Sequence, residues 1–137
     1  MNNLPVIVDT NIIFSILLNN NSPLAKILLS GDFSFYIGEI VLVELFKHKD
    51  KIVRLSRLTD DELVKFYHIL LRKINFYKED LIQVENLRFA YELCEDIDVN
   101  DTLNIALTLE LQGLLWTGDR RLKQGLISKG FHRFFEY

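Results

Sequence analysis

Short apolar runs alternate with helical patterns along this chain, and that alternation restricts the fold more than any other feature. The runs are too short for helices and are rich in β-branched or aromatic residues. They cover residues 5–9, 33–37, 74–76 and 114–116. Strands that alternate with helices form parallel sheets covered on both faces. The sequence therefore predicts an α/β fold of three layers, α/β/α, around a central, mainly parallel sheet.

Local signals give the ends of several helices. Ser22 as N-cap and Pro23 as first helical residue predict the start of a helix, and Gly31 predicts its end. Thr59 and Glu62 predict a capping box at the start of another helix. The remaining predicted elements are helices near 12–18, from 39, 50–57, 79–94, 101–111 and 119–128, with an edge strand at 134–135. In the helix at 79–94, the residues expected to share one face are Leu81, Val84, Leu87, Ala90 and Tyr91.

Length and composition indicate one domain over residues 1–137. No apolar run approaches the length of a bilayer span, and the N-terminus lacks the basic and apolar regions of a signal peptide. A single cysteine, Cys94, leaves no internal disulfide. We therefore expect a cytoplasmic protein with no membrane association. The net charge of −3 disfavours a protein whose whole surface binds nucleic acid, but it is compatible with a local basic face.

Four acidic residues lie among apolar ones or at the ends of apolar runs: Asp9, Glu44, Asp101 and Asp119. Charged carboxylates are costly in such places, and one divalent metal ion would compensate several of them. Asp9 ends the first predicted strand, and Asp119 follows Trp116 by three residues. Ligands bind outside the carboxyl ends of parallel strands, so Asp9 and Asp119 are expected at the same edge of the sheet.

Three of these acids also have local explanations. Asp119 would cap the helix that begins at Arg120. Asp101 would be a first-turn acid favoured by the helix dipole. Asp9 would form an Asx-turn with Asn11. None of these local roles excludes a functional one.

Glu44 and Asp98 leave their alternatives open. Glu44 would pair with Lys47 or His48, which lie three and four residues further along a helix. That pairing does not explain why Glu44 shares a turn with so many apolar side chains. Asp98 precedes the helix of Asp101 and is either its N-cap or a fifth metal ligand.

The ordered set of acidic motifs resembles the PIN-domain family of nucleases. The motifs are Val8-Asp9-Thr10-Asn11, Val43-Glu44-Leu45, the segment from Asn100-Asp101-Thr102 to Leu107, and Trp116-Thr117-Gly118-Asp119. Together they span nearly the whole chain, and the length also resembles the toxins of VapC type. Many members have a small residue after the third acid, whereas this chain has Thr102, which puts the subgroup in question more than the site.

The resemblance implies an endoribonuclease that uses Mg²⁺, or alternatively Mn²⁺, to cut single-stranded RNA as the toxin of a toxin–antitoxin pair. The catalytic residues implied are Asp9, Glu44, Asp101 and Asp119. Asp9, Asp101 and Asp119, with Asp98, would hold metal, and Glu44 would be a ligand or would orient the attacking water. Thr117 and Asn11 would support the carboxylates, although strand packing and local turn chemistry are alternatives for them.

The residues that contact RNA or a protein partner are less well defined by these motifs. Arg120 and Arg121 adjoin a predicted ligand and are the better candidates for RNA contacts. The other basic side chains after Glu44 either hold phosphates near the metal or, as expected for most of them, lie on a solvated or antitoxin-facing surface. An antitoxin protein and a second copy of the chain are further expected partners.

Two other functions compete with this one. A phosphatase with Asp9 as nucleophile usually has a second Asp two residues later, where this chain has Asn11. A non-catalytic module that binds RNA or protein would not need all four acids. The wide spacing of His48, His68 and His132 disfavours zinc, and the chain has no glycine-rich phosphate loop.

Overall fold

The central sheet contains four parallel strands. The structure, a computed structural model, describes residues 4–137. In these residues the strands lie in the order β3-β2-β1-β4, and every pairing is parallel. The strands are β1 (Pro5–Val8), β2 (Ser34–Gly38), β3 (Ile74–Tyr77) and β4 (Leu114–Trp116). The first strand is therefore central, and the last one in the chain pairs with it.

Helices fill the connections between the strands. They are α1 (Thr10–Leu18), α2 (Pro23–Leu29), α3 (Glu39–Lys47), α4 (Lys49–Leu55), α5 (Asp60–Lys73), α6 (Val84–Cys94), α7 (Thr102–Leu111) and α8 (Arg120–Ser128). Short 3-10 turns at Glu79–Leu81 and Val99–Asp101 precede α6 and α7.

Each face of the sheet is covered by its own apolar core. Side chains alternate across a strand, so Val6 and Val8 of β1 face one core and Ile7 faces the other. The first core includes buried residues of α1 to α5, and the second includes buried residues of α6 to α8. The predicted α/β/α arrangement around a parallel sheet is confirmed.

The predicted helix starts agree with the structure at two places. The Ser22 hydroxyl accepts a hydrogen bond of 3.2 Å from the amide of Ala25 and so caps α2. Thr59 and Glu62 form the reciprocal capping box at the start of α5. Gly31 follows α2 with a φ of 79°, a conformation that glycine adopts without strain.

The predicted helix at 79–94 is wrong in its first turn. The chain forms a 3-10 turn at Glu79–Leu81, becomes extended at Ile82, and begins α6 only at Val84. Leu81 and Val84 are more than 60% exposed, while Ile82 is buried in the second core. Ile82 takes the core position because the backbone changes conformation there, which breaks the helical period.

The predicted edge strand at 134–135 is reduced to one parallel bridge between Phe134 and Leu115. Within residues 4–137 no single helix has the length and apolar character needed to cross a membrane. The bent pair of α1 and α2, which meet at 107°, does pass that test by length and composition.

Candidate active site

Asp9 lies at the junction of β1 and α1. Its side chain is only 6% exposed, and its amide donates a hydrogen bond of 3.0 Å to the carbonyl of Trp116 in β4. Asp9 is the N-cap of α1, and its Oδ1 accepts a bond of 3.3 Å from the amide of Asn11. The expected Asx-turn is therefore present, and it turns a buried carboxylate toward the edge where β1 and β4 end.

Thr117 joins this carboxylate to the end of β4. Its hydroxyl donates a hydrogen bond of 2.9 Å to Oδ2 of Asp9 and accepts one of 3.1 Å from the amide of Asp119. Asp119 is in turn the N-cap of α8, where its Oδ1 accepts a bond of 3.1 Å from the amide of Leu122. A continuous set of hydrogen bonds thus links Asp9 to the start of α8.

Four carboxylates line one cleft of about 260 Å³ at this edge: Asp9, Glu44, Asp98 and Asp101. They come from the start of α1, the middle of α3 and the 3-10 turn before α7. The other residues that line the cleft are Thr10, Asn11, Phe14, Ile40, Val41, His48, Asn100, Leu103 and Asn104. Segments from three parts of the sequence therefore meet around a mainly polar, acidic hollow.

Asp101 is a partly buried acid of the cleft that faces the negative charges of its acidic neighbours. It ends the 3-10 turn at the N-cap position of α7, where its side chain makes no capping hydrogen bond. Partial burial, and then the charges of Asp9, Asp98 and Asp119, raise the pKa of Asp101 to about 7. Its carboxylate is therefore not used by the helix and is poorly compensated by the protein.

The pKa of Asp9 is also raised. Burial is the largest cause, and the hydrogen bond from Thr117 only partly opposes it. The charge of Asp119 adds to the increase. Burial and neighbouring negative charge thus raise the pKa of two carboxylates of one site, as expected where several acids face a common space.

Glu44 is partly buried within α3 and faces the cleft. Ile40, Glu44 and His48 are spaced four residues apart, so one side of α3 presents all three to this hollow. The ion pairs in the described part of the chain join Lys123 to Glu136 and Lys129 to Asp96. The alternative in which Glu44 pairs with Lys47 or His48 is therefore not seen in this conformation.

Of the two alternatives for Asp98, the capping role is present at the 3-10 turn before α7, and the metal-ligand role stays a prediction. Its Oδ1 accepts a hydrogen bond of 3.0 Å from the amide of Asn100 and caps the 3-10 turn, and its side chain also lines the acidic cleft. Asp119 is exposed and lies at a neighbouring hollow with Asn11 and Gly118. Its charge nevertheless acts on both Asp9 and Asp101.

The sequence around this cleft matches a known protein family. The family model of the PIN domain matches residues 7–135, which is nearly the whole chain. The chain belongs to the PIN-domain family. PIN-domain proteins are nucleases and generally use divalent metal ions.

Solved structures share the fold. One is a chain of the crystal structure of VapBC2 from Rickettsia felis bound to a DNA fragment from their promoter. It is 21% identical with a TM-score of 0.59, and the match covers 88% of this chain and 92% of that one. Another is PAE2754 from Pyrobaculum aerophilum, at 18% identity and a TM-score of 0.58, with 89% and 79% covered. No curated protein matches the chain.

The donors of this PIN domain fit a divalent ion by their chemistry. Every acid at the cleft offers the oxygen ligands that Mg²⁺ prefers, and such an ion would neutralise the negative charges that, after burial, raise the pKa of Asp101. In residues 4–137, however, no three His, Cys, Asp or Glu side chains are close enough together to hold a metal ion as they stand.

Several residues of the cleft were not identified as functional from the sequence. Asn104 lies one helical turn after Asp101 and faces the same hollow, so the i, i+3 spacing was an available signal. Phe14 is partly buried and contacts His48 edge to face, with 5.6 Å between the ring centroids. Arg120 and Arg121, the expected RNA contacts, are exposed at the start of α8 and do not line the cleft.

Proposed function

We propose that this PIN domain is a Mg²⁺-dependent endoribonuclease that cleaves phosphodiesters of single-stranded RNA, with Mn²⁺ as an alternative metal. The observation that carries the proposal is the meeting of Asp9, Glu44, Asp98 and Asp101 in one cleft, where the pKa of Asp101 is raised to about 7. Membership of a nuclease family supports the chemistry.

The acids have distinct parts in the proposal. Asp9, Asp101 and Asp119 hold the metal, Asp98 is a further ligand, and Glu44 binds the metal or orients the attacking water. When bound, the ion lowers the pKa of a coordinated water and offsets negative charge on the phosphate. The hydrogen bonds from Thr117 and Asn11 hold the Asp9 carboxylate in one orientation, so it is ready to bind without further ordering.

A second hollow suggests where the substrate lies. It adjoins the acidic cleft through Asn11, Phe14 and His48, has a volume of about 300 Å³, and extends to Lys51 and Leu55. An unstacked base suits its aromatic and apolar wall, and Lys51 suits a phosphate. Arg120 and Arg121 remain proposed phosphate contacts on the Asp119 side.

The test compares wild type with Asp9→Asn and Asp101→Asn on single-stranded RNA and on a generic phosphate ester, with Mg²⁺ or EDTA. Asp32→Asn is the matched control, because Asp32 is an exposed loop acid outside the cleft. Metal-dependent RNA cleavage that is lost in both site variants but kept in the control supports the proposal. Ester turnover without RNA cleavage indicates a phosphatase instead. RNA or protein binding that does not depend on metal, without turnover of RNA or ester, indicates a non-catalytic module.

The biological role proposed is that of a toxin held inactive by an antitoxin protein. The support is the shared fold with a chain of the VapBC2 structure from Rickettsia felis. Induced expression should arrest growth of a host cell, and Asp101→Asn should not. Rescue by co-expression of a protein encoded next to this chain would identify the antitoxin, whereas growth unaffected by the wild-type chain contradicts a toxin role.

Two physical properties complete the proposal. The enzyme acts in the cytoplasm as one domain over residues 1–137, in keeping with a family match over residues 7–135.

The proposed enzyme forms a homodimer, which would cover exposed apolar side chains such as Phe46 on α3 and Val64 on α5. Light scattering of the purified chain measures its mass directly, and a monomer at high concentration would remove the homodimer from the proposal.

A further inference from the structure

The N-terminus of α3 is capped by a residue from far away in the sequence. Gly38 is the N-cap of α3 and has no side chain with which to cap it. The amide of Ile40 instead donates a hydrogen bond of 2.7 Å to Oε1 of Glu79, which follows β3. A negative carboxylate at this end of a helix is also favoured by the helix dipole. Glu79 therefore does for α3 what a serine or aspartate at Gly38 would do locally.

Gly38 and Glu79 are matched in shape as well as in hydrogen bonding. Gly38 pairs with Tyr77 in the parallel register of β2 and β3, which brings the 3-10 turn of Glu79 to the start of α3. A Cβ atom at residue 38 would lie 2.3 Å from Oε1 of Glu79. The missing side chain at Gly38 thus provides the space that the Glu79 carboxylate occupies.

The capped end of α3 leads directly to the site. Ile40, whose amide is capped, lines the acidic cleft, and Glu44 lies one turn later on the same side of the helix. Val41 and Leu45 are the buried residues of α3, and its other side chains are wholly or partly exposed. The direction of the first turn of α3 therefore depends strongly on the bond from Ile40 to Glu79.

We propose that Glu79 is a positioning residue for Glu44: it anchors α3 to the end of β3 and so sets where the Glu44 carboxylate stands in the cleft. This inference rests on the proposed function, since it gives Glu44 a part in binding the divalent ion. Glu79 itself does not line the cleft and is not proposed as a metal ligand.

The first experiment measures Mn²⁺ affinity by calorimetry, together with the melting temperature, for Glu79→Ala, Glu79→Gln and Glu110→Ala. Glu110 is a matched control because its Oε1 also accepts bonds across the fold, from the Gln83 amide at 3.0 Å and Asn86 Nδ2 at 2.8 Å, at the start of α6. Glu79→Ala should weaken Mn²⁺ binding about tenfold, a loss typical of groups that orient metal ligands. Glu79→Gln keeps the acceptor oxygen and should stay near wild type. Glu110→Ala should lower the melting temperature without weakening Mn²⁺ binding.

A double-mutant cycle with Glu44→Gln then tests whether Glu79 acts through Glu44. The Glu79→Ala change should have little further effect on Mn²⁺ affinity once Glu44 is replaced. Equal losses in both backgrounds, or an equal loss in Glu110→Ala, would overturn the positioning role. A wild-type chain that binds no Mn²⁺ would overturn the proposed function and this inference together, whereas wild-type binding with no change in Glu79→Ala would overturn only the inference.

The pairing of Gly38 with Glu79 has a test that does not involve metal. Gly38→Ala should lower the melting temperature of the wild-type chain, because the new Cβ meets the Glu79 carboxylate. In the Glu79→Ala background the same change should lower it much less. Equal decreases in the two backgrounds would show that the Gly38 space is not reserved for Glu79.

Discussion

The hydroxyl of Thr117 donates a hydrogen bond of 2.9 Å to Oδ2 of Asp9, across 108 positions of sequence. It joins the ends of β4 and β1, the two neighbouring strands at whose carboxyl ends the proposed site lies. The bond also partly offsets the burial that raises the pKa of Asp9. Thr117 therefore connects the folding of the sheet to the protonation of a proposed ligand.

Replacing Thr117 with valine should separate this hydrogen bond from strand packing. Thr117→Val keeps the branched shape but removes the donor, so the pKa of Asp9 should rise further and Mg²⁺ binding at pH 7 should weaken. The free energy of unfolding should fall by about 1–2 kcal/mol, the usual scale for a hydrogen bond to a carboxylate. Urea unfolding and Mn²⁺ titration measure the two effects. Thr117→Ser retains the donor and should recover both, whereas a valine variant that binds metal normally would assign Thr117 to packing alone.

Without metal, the stability of the fold should decrease as the pH rises from about 5 to about 7.5. The pKa of Asp101 is about 7 in the folded chain, against about 3.9 for an unfolded aspartate, and the pKa of Asp9 is raised as well. The folded state therefore binds more protons than the unfolded state in this interval, and the free energy of unfolding falls with increasing pH. Melting curves in EDTA across this range measure the effect, and a rise in stability from pH 5 to 7.5 would contradict it.

Mg²⁺ should reverse that trend. Metal binding requires ionised carboxylates, so the increase in melting temperature caused by Mg²⁺ should be larger at pH 8 than at pH 6. The same melting experiment with millimolar Mg²⁺ in place of EDTA makes the comparison. An increase that does not depend on pH would place the metal away from Asp101.

Asp101→Asn should stabilise the metal-free fold at pH 7.5 while removing the response to Mg²⁺. At this pH the wild-type carboxylate is largely ionised in surroundings that disfavour its charge, and the amide removes that charge. We expect a melting temperature a few degrees above wild type in EDTA at pH 7.5, and a difference that shrinks as the pH falls towards about 4, the pKa of an unfolded aspartate. A lower melting temperature at pH 7.5 would mean that Asp101 stabilises the fold in its charged form.

Two substitutions at Asp119 should distinguish its cap from its proposed metal role. Asp119→Ala removes the bond to the Leu122 amide and should lower the free energy of unfolding by about 1 kcal/mol. Asp119→Asn can still cap α8 and should keep most of that stability, but it loses the charge that acts on Asp9 and Asp101. Comparison of unfolding with Mn²⁺ affinity separates the two roles. Normal affinity in the asparagine variant would leave Asp119 as a cap only.

The sequence predicted those parts of the structure that depend on nearby residues. The strand before Asp9 and the capping box at Thr59 each depend on residues within a few positions, and both are as expected. The shared edge of Asp9 and Asp119 was also predictable, because parallel strands end on the same side. The strand order, which makes β4 the neighbour of β1, was not.

Long-range contacts account for what the sequence did not reveal. Glu79 looked like the first residue of a helix, but its carboxylate binds the amide of Ile40, and the chain reaches α6 through a separate turn. Hydrophobic periodicity placed Leu81 on one face with Val84 and left Ile82 out, because it assumed one unbroken helix, whereas Ile82 is the buried residue. Asp98 and Asp119 are both caps and neighbours of the site, and local sequence signals identify only the cap.

The pairing of the first strand with the last one has a consequence for protein synthesis. Asp9 leaves the ribosome before its partner Thr117, which follows 108 positions later, and before the strand beside it. A growing polypeptide that stops before β4 lacks the strand that pairs with that side of β1. It also lacks the hydrogen bonds through Thr117 that link Asp9 to Asp119. An active enzyme of this design would therefore stay inactive until β4 has been translated, and a premature stop codon before β4 would release a product without a complete centre.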